Sequence, residues 1–159
     1  ITARKAEHPD ADLGFVGDPL QVNPQIVDVI ARSELIPVIA PIGVSREGET
    51  LNINADSFAS ALAARLKAKR LLLLTDVEGV LDKSGRLIEE LTVDEANTLI
   101  RDGTISGGMI PKIAACLHAV TNGVGSAHLL DGRLPHVLLL ELFSDAGIGT
   151  MITSPEVPA

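Results

Sequence analysis

The sequence feature that most constrains the fold is a run of four leucines at 71–74, followed by Thr75-Asp76-Val77-Glu78-Gly79. Continuous apolar runs are typical of central strands of parallel sheets, which are buried on both faces, whereas half-exposed strands alternate. Ligands of open α/β sheets bind just beyond the carboxyl ends of such strands. The residues after the run are therefore predicted at a binding edge, where Gly79 allows a positive φ or a close backbone approach. The alternative is a strand followed by an ordinary turn.

The length and composition predict one domain that covers residues 1–159 and has a full core. The chain is 46% hydrophobic and contains neither Trp nor Tyr, so the core must be aliphatic. Its formal net charge of -8 opposes non-specific binding to nucleic acid or to an anionic membrane. We therefore expect neither a nucleic-acid partner nor a membrane partner.

The single cysteine, Cys116, excludes an intramolecular disulfide framework and fits a reducing compartment, so we expect a cytoplasmic protein. No apolar run approaches the roughly 18 residues that span a bilayer. The first residues lack the apolar core and cleavage region of a signal peptide. The chain also begins without Met, as if within a strand, which predicts that it is a fragment.

Glycine, proline and polar clusters divide the chain into alternating strands and helices. Strands are predicted at 13–18, 36–42, 51–54, 71–75, 127–130 and 148–152, with hairpin turns at 45–49 and 82–85. Helices are predicted from 23 onwards and at 56–69, 92–103, 107–121 and 135–143, before a frayed tail at 153–159. This alternation predicts an α/β fold, an αβα sandwich with a mainly parallel sheet.

Local signals mark the helix ends and one buried face. Asn23 and Pro24 suit the N-cap and first position of the first helix. The spacing of Ile26, Val29 and Ile30 predicts its buried stripe. Thr92 and Glu95 form the capping box of a later helix.

Lys112 is the most informative single residue. It lies in the first turn of its predicted helix, where a cation opposes the helix dipole by up to about 1 kcal/mol. One interpretation is a solvated surface lysine. The other is a bound phosphate that reverses the local electrostatics, with Gly107 and Gly108 leaving room for it and free helix amides donating to it. The segment does not match a Walker A sequence.

Asn52, Asn54 and Asp56 precede the Ala-rich helix. Their ordinary interpretation is helix capping. However, alternate strand residues project on one face, so Asn52 and Asn54 can point together at the sheet edge, and Asp56 can orient a lysine.

No metal site is predicted, because the histidines have no metal-ligand spacing with one another or with Cys116. A Ser-centred nucleophile elbow is also absent.

Four segments, in the same order and spacing, resemble the amino acid kinase family, and within it the acetylglutamate kinases. They read NINAD (52–56), LLLLTDVEGVLD (71–82), GGMIPK (107–112) and SAHLLDGRLPH with LLLELFSDAGIGTM (126–151). The resemblance implies an αβα sandwich of the carbamate kinase-like type. It also implies that this chain is the C-terminal, ATP-binding half of an enzyme that phosphorylates the side-chain carboxylate of N-acetyl-L-glutamate in arginine biosynthesis.

The resemblance also assigns roles to individual residues. Lys112 would stabilise the transferring phosphoryl group, Asp56 would orient the catalytic lysines, and Asn52, with Asn54 beside it, would bind the acyl amino acid. Mg²⁺ would be carried by the nucleotide. The implied ATP-binding residues are Asp76, Val77, Glu78, Gly79, Val80, Leu81, Thr104, Ile105, Ser106, Gly108 and Met109.

The family's N-terminal half carries a catalytic lysine, glycine-rich loops and a substrate-binding arginine, and this chain contains none of these. We therefore expect weak nucleotide binding and negligible turnover from the chain alone. Some members bind L-arginine as an inhibitor and form hexamers, and His128, Glu141 and Gly147 match the inhibitor positions. On charge grounds Glu141 suits a guanidinium group, while the commoner interpretation is a solvated helix-end carboxylate. An intact homo-oligomer, dimer or hexamer, is expected.

Three alternatives remain open at the level of sequence. The first is another amino acid kinase, such as a glutamate 5-kinase or an aspartokinase. The second is a non-catalytic nucleotide-binding or regulatory module. The third is a structural fragment that dimerises through its exposed surface.

Overall fold

The chain folds into two mixed β-sheets and the helices that cover them. A computed structural model describes residues 1–144 and 147–154. In chain order its elements are β1 (Thr2–Lys5), β2 (Val16–Gln21), α1 (Gln25–Arg32), β3 (Ile42–Val44), β4 (Thr50–Ile53), α2 (Ala55–Leu66), β5 (Arg70–Thr75), β6 (Glu90–Thr92), α3 (Val93–Arg101), α4 (Met109–Thr121), β7 (Ser126–Asp131), α5 (Val137–Phe143) and β8 (Thr150–Thr153). The predicted α/β class is therefore confirmed.

The two sheets differ in size and closure. Strands β1, β2, β4 and β3 close into a small barrel, and β5, β7, β8 and β6 form an open sheet in that order. In the open sheet β5 pairs with β7, and β6 with β8, in parallel, whereas β7 and β8 are antiparallel. Across the described strands four pairs are parallel and three are antiparallel, so the sheets are mixed and the prediction of a mainly parallel sheet is confirmed.

The leucine run forms β5, as predicted, but the prediction of a central strand buried on both faces is wrong. Within the described chain β5 is an edge strand whose paired neighbour is β7. Leu71 and Leu73 are buried in the core, while Leu74 on the other face is 48% exposed. Side chains alternate between the faces of a strand, and here only one face of β5 packs into the main core.

Two apolar clusters hold the fold together, and α2 contributes to both. The larger cluster fills the space between the open sheet and helices α2, α3 and α4. The smaller one consists of Ala3, Leu51 and Ile53 of the barrel with Phe58 of α2. Because α2 follows β4 directly and reaches the larger core through Ala63, it fixes the barrel relative to the open sheet.

Two predictions for the segment around α1 are wrong. Ile26 and Val29 are exposed, so the predicted stripe is not buried, and α1 has no buried residue. Residues 36–41 form no strand; Ile36 is 88% and Val38 95% exposed, and β3 begins only at Ile42. Prolines at 37 and 41 lack the amide hydrogen that a strand ladder needs.

The predictions from local signals at the helix ends are confirmed more often than those of buried faces. The side chain of Asn23 accepts a hydrogen bond from the Gln25 amide, although Pro24 takes the N-cap position. The capping box of Thr92 and Glu95 is present with both of its hydrogen bonds. α2 ends three residues before the predicted Lys69, where Lys67 adopts a left-handed conformation. The predicted tail of 153–159 starts too early, because Thr153 belongs to β8, and its residues 155–159 lie outside the described part of the chain.

Among the described residues, no helix has both the length and the apolar character required to cross a bilayer.

Candidate active site

A cleft of about 220 Å³ lies beyond the carboxyl end of β5. One wall is the loop that follows β5, and the other is the approach to α4. The lining residues are Val77, Gly79, Val80, Leu81, Thr104, Ile105, Ser106 and Met109. All of them belong to the predicted nucleotide-binding set, so the fold brings together two segments that are more than 20 residues apart in sequence. The predicted members Asp76, Glu78 and Gly108 lie beside the cleft in sequence but do not line it.

Gly79 has both the positive φ and the close approach of a neighbouring segment that the sequence suggested for it. Its φ is +148°, and a Cβ atom built on it would lie 2.6 Å from Thr150 Oγ1. Thr150 does not line the cleft, but it supports the loop that does, and the sequence did not single it out. Its hydroxyl accepts a hydrogen bond from the Val80 amide at 2.8 Å, and it is fully buried at the start of β8. The only sequence signal for it was a threonine in an otherwise apolar strand.

Asp131 and Arg133, at the end of β7, were also missed. Asp131 pairs in register with Thr75 of β5, so it reaches the same sheet edge as the cleft loop. Arg133 donates two hydrogen bonds of 2.8 Å to the Asp131 carboxylate. These bonds lower the pKa of Asp131 to about 2. The charges of Asp76 and Glu78 also act on Arg133. The signal was a polar DGR sequence directly after an apolar strand.

Lys112 lies in the first turn of α4, and its Nζ is 3.2 Å from Oδ2 of Asp56, in the first turn of α2. The side chains of Lys112 and Asp56 are 25% and 19% exposed, so the freely solvated lysine of the ordinary interpretation is not observed. Lys112 does not line the cleft, but Met109, one turn earlier on α4, does. A full positive charge is thus held at the start of the helix that closes the cleft.

Asn54 and Asn52 differ in what they do. The side chain of Asn54 caps α2 by accepting a hydrogen bond from the Ser57 amide at 3.1 Å, so the capping interpretation is confirmed for this residue. Asn52 is exposed in β4, between the buried Leu51 and Ile53. Its side chain therefore projects from the barrel on the face away from the small core.

A second cavity, of about 290 Å³, contains the three residues predicted to bind an inhibitor, His128, Glu141 and Gly147. His128 Nδ1 and Glu141 Oε1 are 2.6 Å apart, and burial lowers the pKa of His128 although Glu141 opposes that shift. The Glu141 side chain is only 10% exposed, so its interpretation as a solvated helix-end carboxylate is wrong. Arg70, Glu89 and Glu90 also line this cavity, which makes it strongly polar.

Within the part of the chain that the structure describes, no group of three His, Cys, Asp or Glu side chains is arranged to hold a metal ion.

Comparison with known proteins shows which enzymes this chain is similar to. Acetylglutamate kinases of Parvibaculum lavamentivorans and Bartonella tribocorum are 62% and 58% identical over 89% and 90% of this chain. The chain spans only 46% and 48% of these two relatives, about half of their length.

Solved structures match over nearly the whole chain. An N-acetylglutamate synthase from Neisseria gonorrhoeae, complexed with coenzyme A and L-arginine, matches with a TM-score of 0.88 at 29% identity. The match covers 96% of this chain and 36% of the synthase. A carbamate kinase from Giardia lamblia bound to AMP-PNP matches with a TM-score of 0.67 over 88% of this chain and 47% of that one. At 22% identity it supports the fold alone.

The model of the family described as "Amino acid kinase family" matches residues 1–131, which include β5, the cleft and the Asp56–Lys112 pair. This chain belongs to the amino acid kinase family.

Proposed function

We propose that this chain is the ATP-binding portion of an acetylglutamate kinase. The intact enzyme would transfer the γ-phosphoryl group of ATP to the side-chain carboxylate of N-acetyl-L-glutamate in the cytoplasm, in arginine biosynthesis. The observation that carries the proposal is the meeting of the cleft beyond β5 with the start of α4, where Asp56 holds Lys112 at 3.2 Å. N-acetyl-L-glutamate is proposed as the substrate because the relatives at 56–62% identity are named acetylglutamate kinase.

The cleft has the chemistry that an adenosine group requires. Val77, Leu81 and Ile105 offer apolar surface to a flat base, and the hydroxyls of Thr104 and Ser106 lie among them. Binding sites of this kind are mostly apolar, with a few polar groups that fix orientation. Asp76 and Glu78, which follow β5, are proposed to contact the ribose, and Gly108 leaves space for the phosphates.

Lys112 and Asp56 are proposed as the catalytic pair. ATP supplies the group that is transferred, and Lys112 supplies a positive charge where negative charge develops in the transition state. Asp56 keeps the lysine in place. Mg²⁺ is proposed to arrive with the nucleotide phosphates, because the described residues contain no cluster of metal ligands. The ADP and the acyl phosphate product would leave by the same open cleft.

Asn52 is proposed to bind the acyl amino acid, together with the side-chain amide group of Asn54. The Oδ1 atom of Asn54 is occupied by the Ser57 amide, which leaves its NH₂ group as the donor that it can offer. Asn52 and Asn54 precede Asp56 by four and two residues, so the substrate carboxylate would lie close to the Lys112 charge.

We also propose that the active enzyme needs the half of the relatives' length that this chain does not span, the N-terminal substrate-binding half. Phosphoryl transfer depends on charge neutralisation and positioning from both sides of the γ-phosphate. The large accessible surface of the chain, which includes exposed apolar side chains, supports the need for this second half. The accessible area is 10170 Å², roughly a third more than the about 7,600 Å² expected for a compact monomer of 16.7 kDa. Ile26, Ile36 and Val38 contribute to it.

The second cavity is proposed to bind L-arginine as an inhibitor, with Glu141 and His128 facing the guanidinium or ammonium group and the backbone of Gly147 accepting a hydrogen bond. The intact protein is proposed to be a homo-oligomer, a dimer or a hexamer. Titration of L-arginine into intact wild type and Glu141→Ala tests the assignment, since unchanged inhibition of the variant would exclude Glu141.

The decisive experiment joins this chain to the portion of the Parvibaculum lavamentivorans relative that it does not span. We expect the fusion to release ADP with N-acetyl-L-glutamate, and the 159-residue chain alone to show negligible turnover. Activity with L-glutamate or L-aspartate in place of the acetylated substrate would instead support a glutamate 5-kinase or an aspartokinase. ATP binding without transfer to any of the three would support a non-catalytic module.

A further inference from the structure

The loop that forms one wall of the cleft is the start of a hairpin, whose limbs pair at Leu81 and Leu87 and, one residue further from the turn, meet at Val80 and Ile88. The turn between the limbs is held by Asp82, which accepts hydrogen bonds from the amides of Ser84 and Arg86. The Ile88 amide donates directly to the Val80 carbonyl oxygen at 2.8 Å. In an ordinary antiparallel pair the same two residues would also exchange the return bond.

The return bond is relayed through Thr150. The Val80 amide donates to Thr150 Oγ1 at 2.8 Å, and the same hydroxyl donates to the Ile88 carbonyl oxygen at 2.7 Å. One side chain from β8 is therefore inserted between the two limbs and satisfies a donor on one and an acceptor on the other. The direct bond from the Ile88 amide to the Val80 carbonyl oxygen remains at 2.8 Å, so the hydroxyl completes the pairing of the limbs and ties both of them to β8.

The surroundings leave the hydroxyl little freedom. Thr150 is fully buried, and the absence of a side chain at Gly79 is what makes room for it, since a Cβ there would lie 2.6 Å from Oγ1. Gly79 and Val80 both line the cleft. A buried hydroxyl with both bonds made is rigid, and a buried amide or carbonyl left without a partner is costly.

From this arrangement we propose that Thr150 is a positioning residue for nucleotide binding, which sets the width of the cleft by fixing the Val80 limb against the sheet. The inference rests on the proposed function of the cleft. Thr150 does not line the cleft itself, so it acts through Val80 and Gly79 rather than by contact with the nucleotide.

The test follows ATP binding by NMR of the 159-residue chain labelled with nitrogen-15. The chain contains neither Trp nor Tyr, so it has no intrinsic Trp or Tyr fluorescence with which to follow binding. Mg²⁺–ATP is titrated into wild type, Thr150→Val, which keeps the shape but removes the hydroxyl, and Thr150→Ser, which keeps the hydroxyl. Thr153→Val, in the same strand, is the matched control. We expect the ATP dissociation constant to rise about tenfold or more for Thr150→Val, and to stay within about threefold for the other two.

Amide hydrogen exchange of Val80 gives an independent readout of the link itself. Its protection should be lost in Thr150→Val and retained in Thr150→Ser. If Thr150→Val does not fold, Thr150→Cys replaces it, because a thiol hydrogen-bonds only weakly and should shift both measurements in the same direction.

The outcomes separate this inference from the function on which it rests. If wild type shows no ATP-dependent shifts at 77–81 and 104–106, the proposed nucleotide site fails, whatever Val80 does. If wild type binds ATP and Thr150→Val binds it equally well, with Val80 still protected, the role of Thr150 is overturned and the proposed site stands.

Discussion

Replacement of Lys112 by methionine should separate the structural role of the Asp56–Lys112 pair from its proposed catalytic role. At 3.2 Å and an effective dielectric constant of about 20, the direct attraction is about 5 kcal/mol. Desolvation of both groups and the ordering of the lysine chain offset most of this. Because both side chains remain partly exposed, the expected net contribution to the free energy of unfolding is about 1 kcal/mol.

The expected loss of catalysis is larger. Removing one group that stabilises developing charge typically lowers kcat by about 10²–10³-fold, or roughly 3–4 kcal/mol. In the fusion protein described above, Lys112→Met should therefore lower kcat at least about 100-fold, while the ATP dissociation constant changes much less. Asp56→Asn keeps the lysine but releases it, and about a tenfold loss of kcat is expected.

Two measurements check this prediction: ADP release by the fusion protein, and thermal unfolding followed by circular dichroism. Lys5→Met is the control, since Lys5 forms an exposed ion pair with Asp12 at 3.6 Å on the barrel. Lys5→Met should change neither kcat nor the midpoint temperature of thermal unfolding noticeably. A Lys112→Met variant that retained kcat within about threefold of wild type would refute the electrostatic reasoning.

Three further predictions concern the chain itself. Burial raises the pKa of the Cys116 thiol to about 12, so the native protein should not react with a disulfide reagent at pH 8, and the unfolded chain should react fully. Thr92→Ala removes a capping box and should lower stability by about 1 kcal/mol, a fall of about 2–4 °C in Tm by calorimetry. The hydrogen bonds from Arg133 lower the pKa of Asp131 to about 2, so their stabilisation should be present above pH 4 and disappear between about pH 4 and 2; in Arg133→Gln the Asp131 carboxyl should titrate nearer its ordinary value by NMR.

The features that could be predicted from sequence are those completed within a few residues. The capping box needs only Thr92 and Glu95, and the turn at 82–85 needs only Asp82 and Gly85. The start of α4 and its Lys112 follow from the glycines and proline before it. Such signals depend on short-range hydrogen bonds and backbone preferences, which tertiary structure rarely overrides.

Contacts between distant segments could not be predicted in the same way. Thr150 is 70 residues from Val80, and neither residue has a sequence neighbour that indicates the bond. The Asp131–Arg133 pair is local, but its place beside Thr75 depends on the register of β5 against β7. The position of Asp56 suggested that it orients a lysine, the family resemblance indicated Lys112, and the structure supplies the distance and burial of the pair.

Three of the wrong predictions share one physical origin. The stripe of α1, the apolar segment at 36–41 and the outer face of β5 were all expected to be buried, and in the described chain all three are partly or largely exposed. Apolar patterning reports that a surface is buried in the functional molecule, but it does not report which part of the molecule covers it. Ile36 and Val38 would be costly to expose in an intact protein. If the other half of the polypeptide covers them, Ile36→Asp with Val38→Asp should abolish activity of the fusion protein, yet leave the Tm of the 159-residue chain almost unchanged, because their side chains are already in solvent.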